Sequence, residues 1–178
     1  MVRTSFVVTF LAAVSTAPAI AAPSGPAGQA IAAYMRGTGI PCYKPSGEGR
    51  CSIAALNQGT KVFYGKPDSM SEMAVAFVVY QYDATGNGMD QMAIVFRKEG
   101  DRWLPVGRAD NTVGSSPRNV RFAPGAIAYT GTVVGQNDSR ANPTGKGTFR
   151  LVVTSNGVTF GGKGNAGVSL QNEIQRRR

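Results

Sequence analysis

The sequence contains no histidine, only two cysteines and one tryptophan, and few acids: 10 Asp and Glu against 19 Lys and Arg. Each shortage removes chemistry. Without histidine there is no Ser-His-Asp triad, no Cys-His dyad, no His-ligated zinc and no axial-histidine haem. No S-x-x-K or G-x-S-x-G signature takes their place. The run Gly161-Gly162-Lys163-Gly164 lacks the spacing of a phosphate-binding loop. No segment is long and apolar enough to span a bilayer. No cofactor is implied, and no catalytic set emerges.

What is present fits one modest domain. The 178 residues are 42% hydrophobic, enough for a single core, and 23 Gly and 10 Pro imply many turns. The formal net charge is +9.

Arg3 precedes the apolar run Phe6–Val14, and Ala19-Ile20-Ala21 follows with the small-x-small pattern of a cleavage site. This is the grammar of an export signal removed near Ala21, so the expected location is periplasmic or secreted. In an oxidising compartment Cys42 and Cys51 are expected to form a disulfide. Eight residues separate them, unlike the tight Cys-x-x-Cys of a redox pair, so the expected role is structural.

Ser24 is placed to cap a helix with Pro26 in its first turn. Ala27, Ala30, Ile31, Tyr34 and Met35 then fall on one helical face, until Gly37, Gly39 and Pro41 stop it. From Lys61 onward the pattern is β. Strands are expected at 61–64, 73–82, 91–97, 102–107, 119–122, 126–134 and 147–154, with a short one at 158–160. The 73–82 segment is apolar almost throughout, as for a central strand covered on both faces. Pro105 argues for an edge or a bulge. The expected fold is α+β: an N-terminal helix packed on one twisted antiparallel sheet of six or seven strands in a meander. Residues 22–160 would form the domain and 161–178 a Gly-rich, basic, flexible tail.

Three places invite a functional reading. Asp83, Thr85, Asn87 and Asp90 surround a turn with some of the oxygen spacing of a calcium loop. The twelfth position is Ile94 where such loops carry a bidentate Glu, so a hairpin turn is the better account. The polar loop 135–145 offers Asn137, Asp138 and Arg140, either as a recognition loop or as an Asx-turn that shapes itself. Charge is the third. From Arg118 to the end there are nine basic residues against Asp138 and Glu173. Arg118, Arg121, Arg140, Lys146 and Arg150 are the candidates for a patch meeting an anionic partner.

Several short motifs carry a resemblance. Lys61-Val62-Phe63-Tyr64-Gly65, Ala76-Phe77-Val78-Val79-Tyr80 and Gly86-Asn87 are followed by Met92-Ala93-Ile94-Val95-Phe96 and Gly125-Ala126-Ile127. Gly135-Gln136-Asn137-Asp138 with Pro143 completes the series. Over about residues 61–155 the chain resembles a loose group of small secreted bacterial β-rich domains of unassigned function. Members often carry cysteines where this chain has Ser139-Arg140-Ala141-Asn142. The resemblance implies a β-rich secreted domain and no activity.

The function expected from sequence is a non-enzymatic exported module that binds an anionic envelope component or another protein. Nucleic acid is not an expected partner: the compartment is wrong and no recognition helix or RNA-binding aromatic motif is present. Two alternatives stand beside it. One is a carboxylate-based hydrolase or lyase, which requires two acids converging in one concave pocket. The other is a structural subunit that adds a strand to a partner.

Overall fold

The computed structural model describes residues 22–38, 59–67, 71–81, 89–139 and 142–161. Cys42, Cys51, Asp83, Thr85, Asn87, Arg140 and the tail beyond Gly161 lie outside the described residues, and so does the proposed signal segment.

The chain order is α1 (Gly28–Gly37), β1 (Thr60–Gly65), β2 (Met73–Gln81), β3 (Met89–Glu99), β4 (Arg102–Ala109), β5 (Ser115–Ala123), β6 (Ala126–Val133), β7 (Gly145–Thr154) and β8 (Gly157–Phe160). The strands form two antiparallel four-stranded sheets, ordered β1-β2-β3-β4 and β5-β6-β7-β8. This corrects the expected single sheet of six or seven strands in an α+β fold. The described residues are mostly β, with the short helix α1.

The physical reason lies in β2 and β3. Residues Ala74–Val78 of β2 and Gln91–Phe96 of β3 are buried without interruption, so this sheet must be covered on both sides. Ala74, Ala76, Val78, Tyr80, Met92, Ile94 and Phe96 pack with Ala27, Ile31, Ala32 and Met35 of the helical segment. A ten-residue helix can cover only that face. Val75, Phe77, Ala93 and Val95, on the opposite face, pack with Ile127, Tyr129, Phe149 and Leu151 of the second sheet. Tyr129 sits between the rings of Phe77 and Phe149, with centroids 4.7 and 5.3 Å away.

The switch between sheets occurs at 110–114. A hairpin there would have extended the first sheet through β4. Instead Thr112 bonds back to β3: its amide and hydroxyl both donate to the Gln91 carbonyl, at 2.7 and 3.0 Å. The Gln91 side chain in turn donates to Thr112 Oγ1. Asn111 (φ 55°) and Gly114 (φ 94°) take left-handed backbone, which redirects the chain. Gly114 also passes directly beneath Gly131 of β6, where a Cβ would lie 2.6 Å from its backbone.

Two further details differ from or refine the sequence reading. Ser24 does not cap the helix; the N-cap position is Ala27, with no side-chain cap. Pro105 lies on edge strand β4 at a register shift against Val95/Phe96.

Candidate functional site

Strand β5 carries the local irregularity from which a site can be built. Arg118 and Arg121 are three residues apart, so a regular strand would put them on opposite faces. In the structure Ser115 pairs with Thr132, Arg118 with Thr130 and Arg121 with Ala128, three residues of β5 advancing for every two of β6. Each step is a β-bulge that absorbs one extra residue. Ser116 (φ 52°) and Asn119 (φ 51°) take the left-handed conformation that the bulges require. Such backbone is costly for residues other than glycine and is found where side chains must be re-aimed.

The result is a ladder on the outer face of the second sheet. Through β6, Ser115 aligns with Thr132 and Lys146, Arg118 with Thr130 and Thr148, and Arg121 with Ala128 and Arg150. Phe149 and Leu151 alternate with these positions on β7 and point into the core, while Lys146, Thr148 and Arg150 are exposed. Thr132, Thr130 and Ala128 make a floor of short side chains along β6, with longer ones on either side. At the middle of this face is a groove of about 260 Å³ lined by Arg118, Asn119, Thr130, Lys146, Gly147 and Thr148.

Hydrogen bonds hold the wall in place. Thr130 Oγ1 donates to the Arg118 carbonyl at 3.1 Å and accepts from Asn119 Nδ2 at 3.2 Å. Arg118 Nη1 reaches Thr132 Oγ1 at 3.5 Å, which lays the guanidinium toward the Lys146 rung.

The charges on the two sheets differ in part: Lys61 and Arg102 of the first sheet have no acidic partner among the described residues, but its other cations do. Three cations of the first sheet are matched by acids: Arg97 by Glu99, Lys98 by Glu72, and Arg108 by Asp110. Arg118, Arg121, Lys146 and Arg150 have no acidic partner among the described residues. From Ser115 to Gly161 the sole carboxylate is Asp138.

That carboxylate is occupied by its own loop. Asp138 accepts from the Gly135 amide (2.7 Å), the Thr144 amide (2.5 Å), the Thr144 hydroxyl (2.8 Å) and the Gly145 amide (3.3 Å). The two amides of Thr144 and Gly135, then the Thr144 hydroxyl, favour the charged form and bring its pKa down to about 2. Of the two expectations for this loop, the geometry of Asp138 is that of a shaping residue. Asn137 is exposed beside it and makes no hydrogen bond among the described residues.

Asp90 is the described member of the suggested calcium loop. Its carboxylate accepts from the Gln91 amide at 2.8 Å, and burial, then the charge of Asp110, raises its pKa. Tyr80, opposite it in the ladder, donates its hydroxyl to Asn111 Oδ1 at 2.6 Å. Among the described residues no three acidic or cysteine side chains group as metal ligands. Asp110 is engaged by Arg108, and the groove on the second sheet holds no acid.

Compared with known proteins, the chain matches no family model, no curated protein and no solved structure. Among the described residues no helix is long and apolar enough to cross a membrane.

The sequence singles out five cations, of which Arg118, Arg121, Lys146 and Arg150 share this face while Arg140 lies outside the described residues. It does not single out Ser115, Asn119, Thr130, Thr132 and Thr148. Polar residues at strand positions carry no distinguishing signal until the register is known.

Proposed function

We propose that this chain is an exported, non-enzymatic binding module whose second sheet presents a cationic trough to an anionic partner in the cell envelope. The observation that carries the reading is the double bulge of β5, which brings Arg118 and Arg121 onto the face that also carries Lys146 and Arg150, on the far side of β6. Unpaired like charges gathered on one face repel one another, and a polyanion relieves that repulsion. The backbone conformations at Ser116 and Asn119 maintain the gathering at a cost to the fold.

The location belongs to the same proposal. It rests on Arg3, the apolar run after it and Ala19-Ile20-Ala21, and it makes Ala22 the first mature residue. Ala22 packs against the cluster under α1, so the mature chain would begin at the edge of the core. A Cys42–Cys51 disulfide and kinship with small secreted β-rich domains complete the reading. Mass spectrometry of exported protein should find Ala22 at the N-terminus and no free thiol. A retained leader or two free thiols would contradict this part.

Binding is tested by retention on a sulfated matrix as salt is raised. The variant Arg118→Gln/Arg121→Gln/Lys146→Gln/Arg150→Gln should elute well before the wild type. A charge-matched control, Arg36→Gln/Lys61→Gln/Lys66→Gln/Arg102→Gln, removes four exposed cations elsewhere and should elute close to it. Equal loss in both variants would reduce the effect to net charge and overturn the site.

A further inference from the structure

The trough has a shape as well as a charge, and shape narrows the partner. We infer that it takes a linear acidic polysaccharide lying along β6, an inference that rests on the proposed anionic-partner reading. The floor is Thr132, Thr130 and Ala128, and the walls are Ser115, Arg118 and Arg121 on one side and Lys146, Thr148 and Arg150 on the other. Ordinary strand geometry sets the walls about 10 Å apart and the rungs about 7 Å apart along the strand. The four cations are therefore spread over the trough and do not converge on one point. A single small anion could meet only part of this set, whereas a chain carrying an anion at intervals meets all of it.

The groove between the walls agrees with a chain segment. Its volume, about 260 Å³, is below the range of roughly 300–1,000 Å³ typical of sites that enclose a whole small molecule. Asn119, Lys146 and Thr148 are exposed along its rim, so a longer ligand can enter and leave past them.

The hydroxyl pattern selects among polyanions. On two of the three rungs a cation sits with hydroxyls, Lys146 with Ser115 and Thr132 and Arg118 with Thr148 and Thr130, and the third carries two cations, Arg121 and Arg150, across Ala128. The Thr148 hydroxyl has no partner among the described residues. A uronate or sulfated sugar chain offers the matching combination, anions together with ring hydroxyls that donate and accept. Single-stranded nucleic acid is bound through aromatic rings on which bases stack, and this trough is lined by Thr, Ala, Arg, Lys, Ser and Asn. A planar lipid surface would have to reach a floor that lies between two walls of longer side chains.

The test uses the mature chain with three probes: polygalacturonate, inorganic polyphosphate, and vesicles containing phosphatidylglycerol. Wild type should bind polygalacturonate most tightly. Ala128→Leu fills the floor without touching a charge and should weaken that binding about tenfold. Thr148→Val, nearly isosteric, removes one free hydroxyl and should weaken it about three- to fivefold, as for one neutral hydrogen bond, with polyphosphate binding unchanged. Tighter binding of polyphosphate or of vesicles, or insensitivity of polygalacturonate binding to both variants, overturns the polysaccharide assignment while the cationic site stands. If none of the three probes responds to loss of Arg118, Arg121, Lys146 and Arg150, the proposed function falls with it.

Discussion

The Thr130 hydroxyl donates to the Arg118 carbonyl at 3.1 Å and accepts from the Asn119 side-chain Nδ2 at 3.2 Å, so one side chain of β6 holds both parts of a bulge in β5. Thr130→Val keeps the shape and the strand preference but deletes both bonds. Each such bond contributes about 0.5–1.5 kcal/mol, and the site is only half-buried. The midpoint of thermal unfolding should therefore drop by a few degrees, while affinity for a polyanion falls severalfold because Arg118 is no longer fixed over the floor. Unchanged affinity would show that the bulge does not position this arginine.

Ser116 pays for its position with left-handed backbone, φ 52°, and has an exposed side chain. Ser116→Gly should raise stability by a few tenths to about 1 kcal/mol, as glycine adopts this conformation without the Cβ penalty. Ser116→Val should lower it and should also disturb the Ser115–Thr132 pairing. A chemical denaturation series on the three proteins measures this. The same stability for Gly and Val would mean that the conformation is not held.

Tyr129 donates its hydroxyl to the Val113 carbonyl at 2.6 Å and so ties the centre of the second sheet to the segment that arrives from the first. Tyr129→Phe leaves that carbonyl without its partner and should cost about 1–3 kcal/mol. Burial raises the pKa of both Tyr129 and Tyr80 above the ordinary tyrosine range. A raised folded-state pKa means that the unfolded chain releases its proton first. Stability from these groups is full below about pH 10 and declines as pH rises beyond it. Alkaline unfolding of Tyr129→Phe should accordingly be less steep in pH than that of the wild type.

Asp138 titrates in the opposite sense. Its pKa of about 2 lies below the ordinary value of about 3.9, so its contribution is present above pH 4 and is lost as pH falls toward 2. The amide signals of Gly135 and Thr144 should report a midpoint near 2. A midpoint near 4 would mean that the carboxylate does not hold the loop. Asp138→Asn should speed amide exchange across the loop at neutral pH.

Much of the architecture was legible in residue patterns, and the errors have identifiable causes. The strands announced themselves through apolar runs such as 73–82 and through turn residues between them. The same run demanded cover on two faces, but which later segment would supply the second cover was not written in any local pattern. That depended on Thr112 bonding back to Gln91, a contact across 21 residues. Arg118 and Arg121 stood out as charge, yet their common face was hidden, since a three-residue spacing in a strand normally separates two side chains. Only the bulges reunite them. The helix start was misread because Ser24 has the chemistry of a cap, while the helix begins four residues later, after a turn in which the Gly28 amide bonds to the Gly25 carbonyl.

The most direct test of the central claim is residue-resolved NMR of residues 22–178 during titration with an acidic oligosaccharide or, where none binds, polyphosphate. The account predicts that shifts concentrate at Ser115, Arg118, Arg121, Ala128, Thr130, Thr132, Lys146, Thr148 and Arg150, and diminish as salt is added. Shifts centred on the first sheet or around α1, with the outer face of the second sheet silent, would contradict it.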